Sequence, residues 1–335
     1  MRFHAGFVFA ILFACSSTGA SETRYRFYAC VTSTKDYVVG AKLPASGLFF
    51  QTPESEWQHL AYNHPFLTAI DYDAADPTVL YLAAGNALIR AADGGRTWKF
   101  LTGSDVTELR DVAVDRNAPG TLYFAHSHGI RMSRDRGVTW SEIGGNLHRR
   151  YTEALRADRA HAGVLVAGGE EGIYRSEDSG AHWRIAGAAG FAITRIEQSP
   201  HDPCEWMAAT EGGGVFASHD CARTFESAGR VGVGRHLYDV AFDTGDAKRI
   251  ALAGWDPGVV VSEDGGRTWK ARNMGLPRLS VISVAFDPGK PGRMYAGINE
   301  EGLYVSDDWG EHWKSAGMEG TAIIRMKFVP MAAGK

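Results

Sequence analysis

The sequence predicts an all-β chain, a seven-bladed β-propeller built from four-stranded antiparallel blades. Three observations carry this reading. A box of the form Ser-x-Asp-x-Gly-x-Thr-Trp recurs six times, its Asp falling at 93, 135, 178, 220, 264 and 308, at intervals of 42, 43, 42, 44 and 44 residues. Short apolar runs separated by turn residues precede every box, as in Val281–Phe286, Arg293–Gly297 and Gly302–Val305, and a further segment follows it. Composition agrees: 335 residues, 44% hydrophobic and 22% charged, with 40 glycines to supply turns.

The order of elements follows from the repeat. Each unit is a four-stranded meander with its box in the turn between strands three and four. Seven separate twisted sheets would leave apolar faces in water, whereas radial closure packs every face on the next blade. The boxes are Ala91–Trp98, Ser133–Trp140, Ser176–Trp183, Ser218–Phe225, Ser262–Trp269 and Ser306–Trp313. In each, the Asp carboxylate is expected to accept backbone N–H groups of the turn, the Gly to take a positive φ, and the Trp to anchor between sheets. Asp93, Asp135, Asp178, Asp220, Asp264 and Asp308 are therefore read as structural staples, not metal ligands. A seventh, decayed unit is visible at Gly47–Gln51 and Trp57. The tail Thr321–Val329 reads as a first strand with no unit behind it, so it is expected to complete the N-terminal blade. Tyr37–Gly40, Gly47–Gln51 and Trp57–Leu60 would be strands two to four there, with Arg24–Val31 competing for a place.

The N-terminus reads as an export signal. Arg2 precedes an apolar run, Ala5–Cys15, and then Ser16–Ala20, too short to span a membrane; cleavage is placed after Ala20, leaving 21–335 as one propeller domain. Leu12–Cys15 has the look of a lipobox, so lipidation at Cys15 is the alternative to a secreted or periplasmic product. No later segment is long and apolar enough to be read as a transmembrane helix. Cys204 and Cys221 fall in a 1–2 and a 3–4 turn of one blade, at the same end of the sheet. A disulfide between them suits an oxidising compartment and leaves Cys30 unpaired.

With 35 basic against 39 acidic side chains, a net charge of -4, the chain is not a general nucleic-acid binder. It also lacks a phosphate-binding glycine loop, a Gly-x-Ser-x-Gly elbow and a Cys-x-x-Cys pair, so no cofactor is called for. His126 and His128, with His148 in the next connection, are read as surface histidines rather than a metal site.

The box motifs resemble those of the Asp-box, or bacterial neuraminidase repeat, propellers over nearly the whole chain after the signal. Ala91, Cys221-Ala222 and Phe225 depart from the pattern. Within that class the sequence looks most like sortilin-type and photosystem II assembly-factor-type propellers, with sialidases and two-propeller xyloglucanases as enzymatic relatives in architecture. The resemblance implies fold, and for function it implies a binding or assembly module as readily as an enzyme.

The face opposite the boxes carries the candidate site. Its 2–3 turns hold Glu170, Glu171, Glu211, Asp256, Glu300 and Glu301, together with Trp255. Its connections and first strands hold Arg110, Arg149, Arg150, Arg195, Arg235, Arg278 and Arg325. An acidic rim around a basic mouth is expected from this distribution, suited to a protein or an extracellular glycan. The expected assembly state is a monomer. The competing reading is a glycosidase, with Asp111 and Asp239 as paired carboxylates, Tyr238 or Tyr151 as a nucleophile, and the arginines as anion ligands.

Overall fold

A computed structural model describes residues 23–34, 46–52, 54–60, 63–147 and 150–331. Seven four-stranded antiparallel blades succeed one another around an axis among the described residues, two of them joined into one larger sheet. Blade 1 consists of Thr321–Pro330, Tyr25–Ser33, Gly47–Gln51 and Trp57–Leu60. Blades 2 to 7 follow in chain order, with innermost strands Leu67–Tyr72, Leu109–Val114, Thr152–Ala157, Ile193–Gln198, Val233–Phe242 and Val281–Phe286.

The C-terminal strand does close the N-terminal blade, pairing along its length with Tyr25–Ser33 from Tyr25 opposite Pro330 to Ser33 opposite Thr321. The second place in that blade belongs to Tyr25–Ser33, which corrects the expectation for Tyr37–Gly40, a stretch outside the described residues. The physical reason is burial on both faces. Phe27, Ala29 and Val31 pack toward blade 7, while Tyr28 and Cys30 pack toward blade 2. The export signal, Cys15, His148 and Arg149 also lie outside the described residues.

Seven apolar clusters sit between neighbouring blades. The cluster between blades 7 and 1 includes Phe27, stacked on Phe328 at 4.4 Å and edge-on to Trp57 at 5.2 Å. This is the packing that radial closure requires, each apolar face covered by the next sheet.

The boxes are hydrogen-bonded turns. Asp135 accepts the backbone N–H groups of Val138 at 3.0 Å and Thr139 at 2.9 Å, the Thr139 hydroxyl at 2.6 Å and the Ser133 hydroxyl at 2.7 Å. Gly137 has φ 87°, and a Cβ there would lie 2.6 Å from Leu101. At Asp178 and Asp308 a histidine stands where the box has Thr, with Nδ1 of His182 at 2.6 Å and of His312 at 2.7 Å. The indole N–H of Trp140 reaches the Leu101 carbonyl and that of Trp313 the Arg272 carbonyl, each in the preceding blade. In blade 5, Cys204 and Cys221 form a disulfide, and Phe225, buried in place of a Trp, donates its N–H to Ala186. Cys30 is a buried free thiol, pushed up to about 12 by burial.

The hydroxyl of Thr139 and the turn N–H groups hold Asp135 down from 3.8 to about 2. The unfolded chain therefore binds more protons between those values, and stability contributed by the box falls as pH drops through that window. Asp135→Ala is expected to lower the melting temperature at neutral pH, with the gap to wild type narrowing between about pH 4 and about pH 2. Thermal melts across that range check it. A gap that stays constant would mean that the box does not act through its ionised carboxylate.

Blades 5 and 6 differ from the rest. The second strand of blade 5, Trp206–Gly213, and the first of blade 6 run past the sheet body and pair with each other, Glu211 opposite His236 and Gly213 opposite Val233. The two blades thus form one continuous eight-stranded sheet. The added ribbon stands on the face opposite the boxes.

Candidate functional site

The innermost strands surround the central channel, and their polar side chains tie adjacent blades together. Thr68 donates its hydroxyl to the Leu109 carbonyl, Thr194 to that of Leu237 and Ser283 to that of Ile323. Asp111 and Asp239 play the complementary part. Asp111 accepts the N–H of Leu155 in the next blade at 3.0 Å, and Asp239 that of Val284 at 3.1 Å. Both are buried, at 2% and 4% exposure.

These two acids belong to one chain of ion pairs, which starts at Asp111 and runs through Asp239 to Arg325. Asp111 meets Arg156 at 2.6 Å, and Arg156 meets Glu197 at 2.8 Å. Glu197 contacts Arg195, which lies 3.3 Å from Asp239, and Asp239 lies 3.4 Å from Arg325. A separate pair joins Lys327 to Asp71 at 3.1 Å. Burial works against the charge on Glu197, but Arg156 and Arg195 outweigh it and hold the carboxyl far below its ordinary 4.5. At Asp239 burial wins over Arg195 and Arg325, and the carboxyl rises above its ordinary value. Burial, with Arg156 and Arg325 nearby, pulls Arg195 down to about 10.

This lattice separates two chambers. On the face opposite the boxes, a mouth of about 460 Å³ is lined by Arg110, Tyr151, Glu153, Glu211, Tyr238 and Arg325, among others. Tyr151 donates its hydroxyl to Glu153 at 2.6 Å, and the Arg110 guanidinium lies 4.9 Å over the Tyr151 ring. Burial, then the Glu153 carboxylate, pushes the Tyr151 hydroxyl well above the ordinary phenol range; burial, then Glu211, raises Tyr238. On the box face, a smaller chamber of about 80 Å³ lies among Asp71, Arg116, Arg159, Glu197 and Lys327.

The arginines singled out from sequence fall into two groups. Arg195 and Arg325 belong to the lattice. Arg110, Arg150, Arg235 and Arg278 stand around the mouth, but each is partnered: Arg110 with Glu153 at 3.7 Å, Arg150 with Glu171, Arg235 with Asp256 at 2.7 Å, and Arg278 with Glu301 at 3.0 Å. The expected basic mouth inside an acidic rim is replaced by interleaved pairs, because Arg150, Arg235 and Arg278 face acids on adjoining 2–3 turns and Arg110 faces Glu153 on the next innermost strand. Trp255 is half exposed beside them. Sequence reasoning passed over Arg156 and Glu197, the middle of the lattice. Their signal is a charged residue at one inner-strand position in several blades: Asp71, Arg156, Glu197 and Lys327. Among the described residues no three His, Cys, Asp or Glu side chains gather as a metal site.

With this geometry, solved propellers are the structural match. The GH74 enzyme of Niastella koreensis superposes with a TM-score of 0.72 at 18% identity, covering 87% of this chain and 55% of that one. The chain is a β-propeller. YCF48 bound to a D1 peptide superposes with a TM-score of 0.56 at 18% identity, over 74% of this chain and 81% of that one. Among curated proteins, a xyloglucanase of Hypocrea jecorina (strain QM6a) is 27% identical over 208 residues, 56% of this chain. The propeller spans only a quarter of that relative's length. No protein-family model matches the sequence.

Proposed function

We propose that this propeller is an exported, non-catalytic binding or assembly module that seats a polypeptide partner on the face opposite the boxes. The observation that carries the reading is the engagement of Asp111 and Asp239. Each accepts a backbone N–H from the next blade and lies against a guanidinium, so the pair nominated for glycoside hydrolysis is spent on holding blades together. The surface around the mouth has the character of a protein interface. Exposed Trp255 and Val233 stand among ion pairs of both signs that a partner can exchange, and aromatic anchors with charged surroundings are common at such interfaces. The YCF48 propeller, with its D1 peptide, is a precedent for this use of the fold.

The second reading is a glycoside hydrolase. It is favoured by the similarity to a xyloglucanase and by the raised carboxyl of Asp239, as a general acid requires. One experiment separates the two. A photo-crosslinking residue is placed at Trp255, or at exposed Val138 on the box face, in protein exported by its host, and the purified protein is assayed on xyloglucan and chromogenic glycosides with Asp239→Asn alongside. The binding reading expects a discrete polypeptide adduct from position 255 only, and no turnover. Turnover lost in Asp239→Asn would replace it with the hydrolase.

A further inference from the structure

The box-face chamber lies at the opposite end of the channel from the proposed partner face. Six cationic side chains line it, Arg116, Arg156, Arg159, Arg195, Arg325 and Lys327, against three carboxylates, Asp71, Asp111 and Glu197. Arg156, Arg195 and Arg325 are committed to the lattice and Lys327 to Asp71. Arg116 and Arg159 have no carboxylate within ion-pair distance among the described residues.

Their positions are nevertheless set. Arg159 donates Nε to the Gln198 side-chain oxygen at 3.2 Å and Nη2 to the Gln198 carbonyl at 2.6 Å, and it also contacts the Ser199 carbonyl. Arg116 donates to the Tyr72 hydroxyl at 3.1 Å and lies over the same ring, which Lys327 also approaches at 5.6 Å. Burial and then the Arg116 charge pull Arg159 below its ordinary value, and the nearby Glu197 carboxylate does not offset them.

We propose that this chamber binds one small inorganic oxyanion dianion, phosphate or sulfate, between Arg116, Arg159 and Lys327. Arginine forks and a lysine ammonium are the donors such ions take. Holding Arg159 by carbonyls removes part of the ordering cost of binding. A volume of about 80 Å³ is that of a few water sites, enough for one tetrahedral ion and not for a substituted ester. The inference is independent of the partner-face reading.

The test is titration calorimetry with inorganic phosphate at about pH 8, where the dianion predominates, repeated with phenyl phosphate and with chloride at matched ionic strength. Saturable phosphate binding is expected, with none for chloride or phenyl phosphate. Loss of one charge-assisted hydrogen bond should weaken it by about tenfold or more in Arg116→Gln and in Arg159→Gln, and Arg230→Gln, outside the channel, should leave it unchanged. Arg116 is exposed, so its variant reads binding without risk to folding. Absence of saturable binding, or equal affinity in Arg116→Gln, would overturn the site. Equal binding of phenyl phosphate would overturn the restriction to a free ion.

Discussion

A chain ending at Gly320 is expected to lose cooperative folding. The missing strand supplies the innermost position of blade 1 and pairs with Tyr25–Ser33. Its side chains Ile323, Met326 and Val329 are buried in the two clusters that flank the blade, and each is worth about 1.5–3 kcal/mol of apolar burial. The strand also accepts the Ser283 hydroxyl from blade 7 at the Ile323 carbonyl. Domains of this kind have a net stability of about 5–15 kcal/mol, so the sum of these losses approaches the whole. A denaturant titration of the truncated chain should show a broad, non-cooperative transition. Adding a peptide of residues 321–331 should restore a sigmoidal one, because the vacated edge keeps its unpaired backbone groups. A truncated chain that melts like the full one would mean that the ring does not depend on this closure.

Replacing Glu197 by Gln should cost about 3 kcal/mol, the low end for breaking a buried ion pair, because Arg156 and Arg195 both lose their shared carboxylate. Asp239→Asn offers the contrast. Burial has raised that carboxyl, and an amide oxygen can still accept the Val284 N–H, so its cost should be distinctly smaller. The pH dependence has opposite signs at the two sites. Glu197, held down, contributes stability at neutral pH that fades as pH falls below its ordinary 4.5. Asp239, held up, opposes folding once ionised, and protonation relieves it. Chemical unfolding of the two variants at neutral pH, and of wild type down an acid series, measures both. Equal losses at the two positions would show that the lattice acts as one undivided unit.

Much of this fold is legible in the residues because the box fixes a turn, a face and a register six times over, with a Trp or Phe behind it. The one misplaced strand shows where that ends. Arg24–Val31 and Tyr37–Gly40 are both short apolar stretches, and the choice between them depends on a partner strand at the far end of the chain. The site was half legible for a similar reason. Asp111, Asp239, Arg195 and Arg325 stand out as charges within apolar inner strands. Their mutual neutralisation through Arg156 and Glu197 arises only when blades 3 to 6 and the closing strand surround one axis. Charge on the mouth arginines was likewise visible, but its cancellation by Glu153, Glu171, Asp256 and Glu301 depends on how neighbouring blades and loops meet.

The ribbon joining blades 5 and 6 makes the ring mechanically uneven. Other neighbouring blades are joined by side-chain packing, polar clips and at most isolated backbone bridges, as at Gly187 with Phe225 and Trp255 with Ser280. Blades 5 and 6 share a stretch of antiparallel backbone pairing, with Glu211 opposite His236 and Gly213 opposite Val233, which ties their tilts together. Under load, or in the slow breathing that hydrogen exchange records, that pair should behave as a rigid sector against which the other five blades move, and amides of the ribbon should be among the last on the open face to exchange.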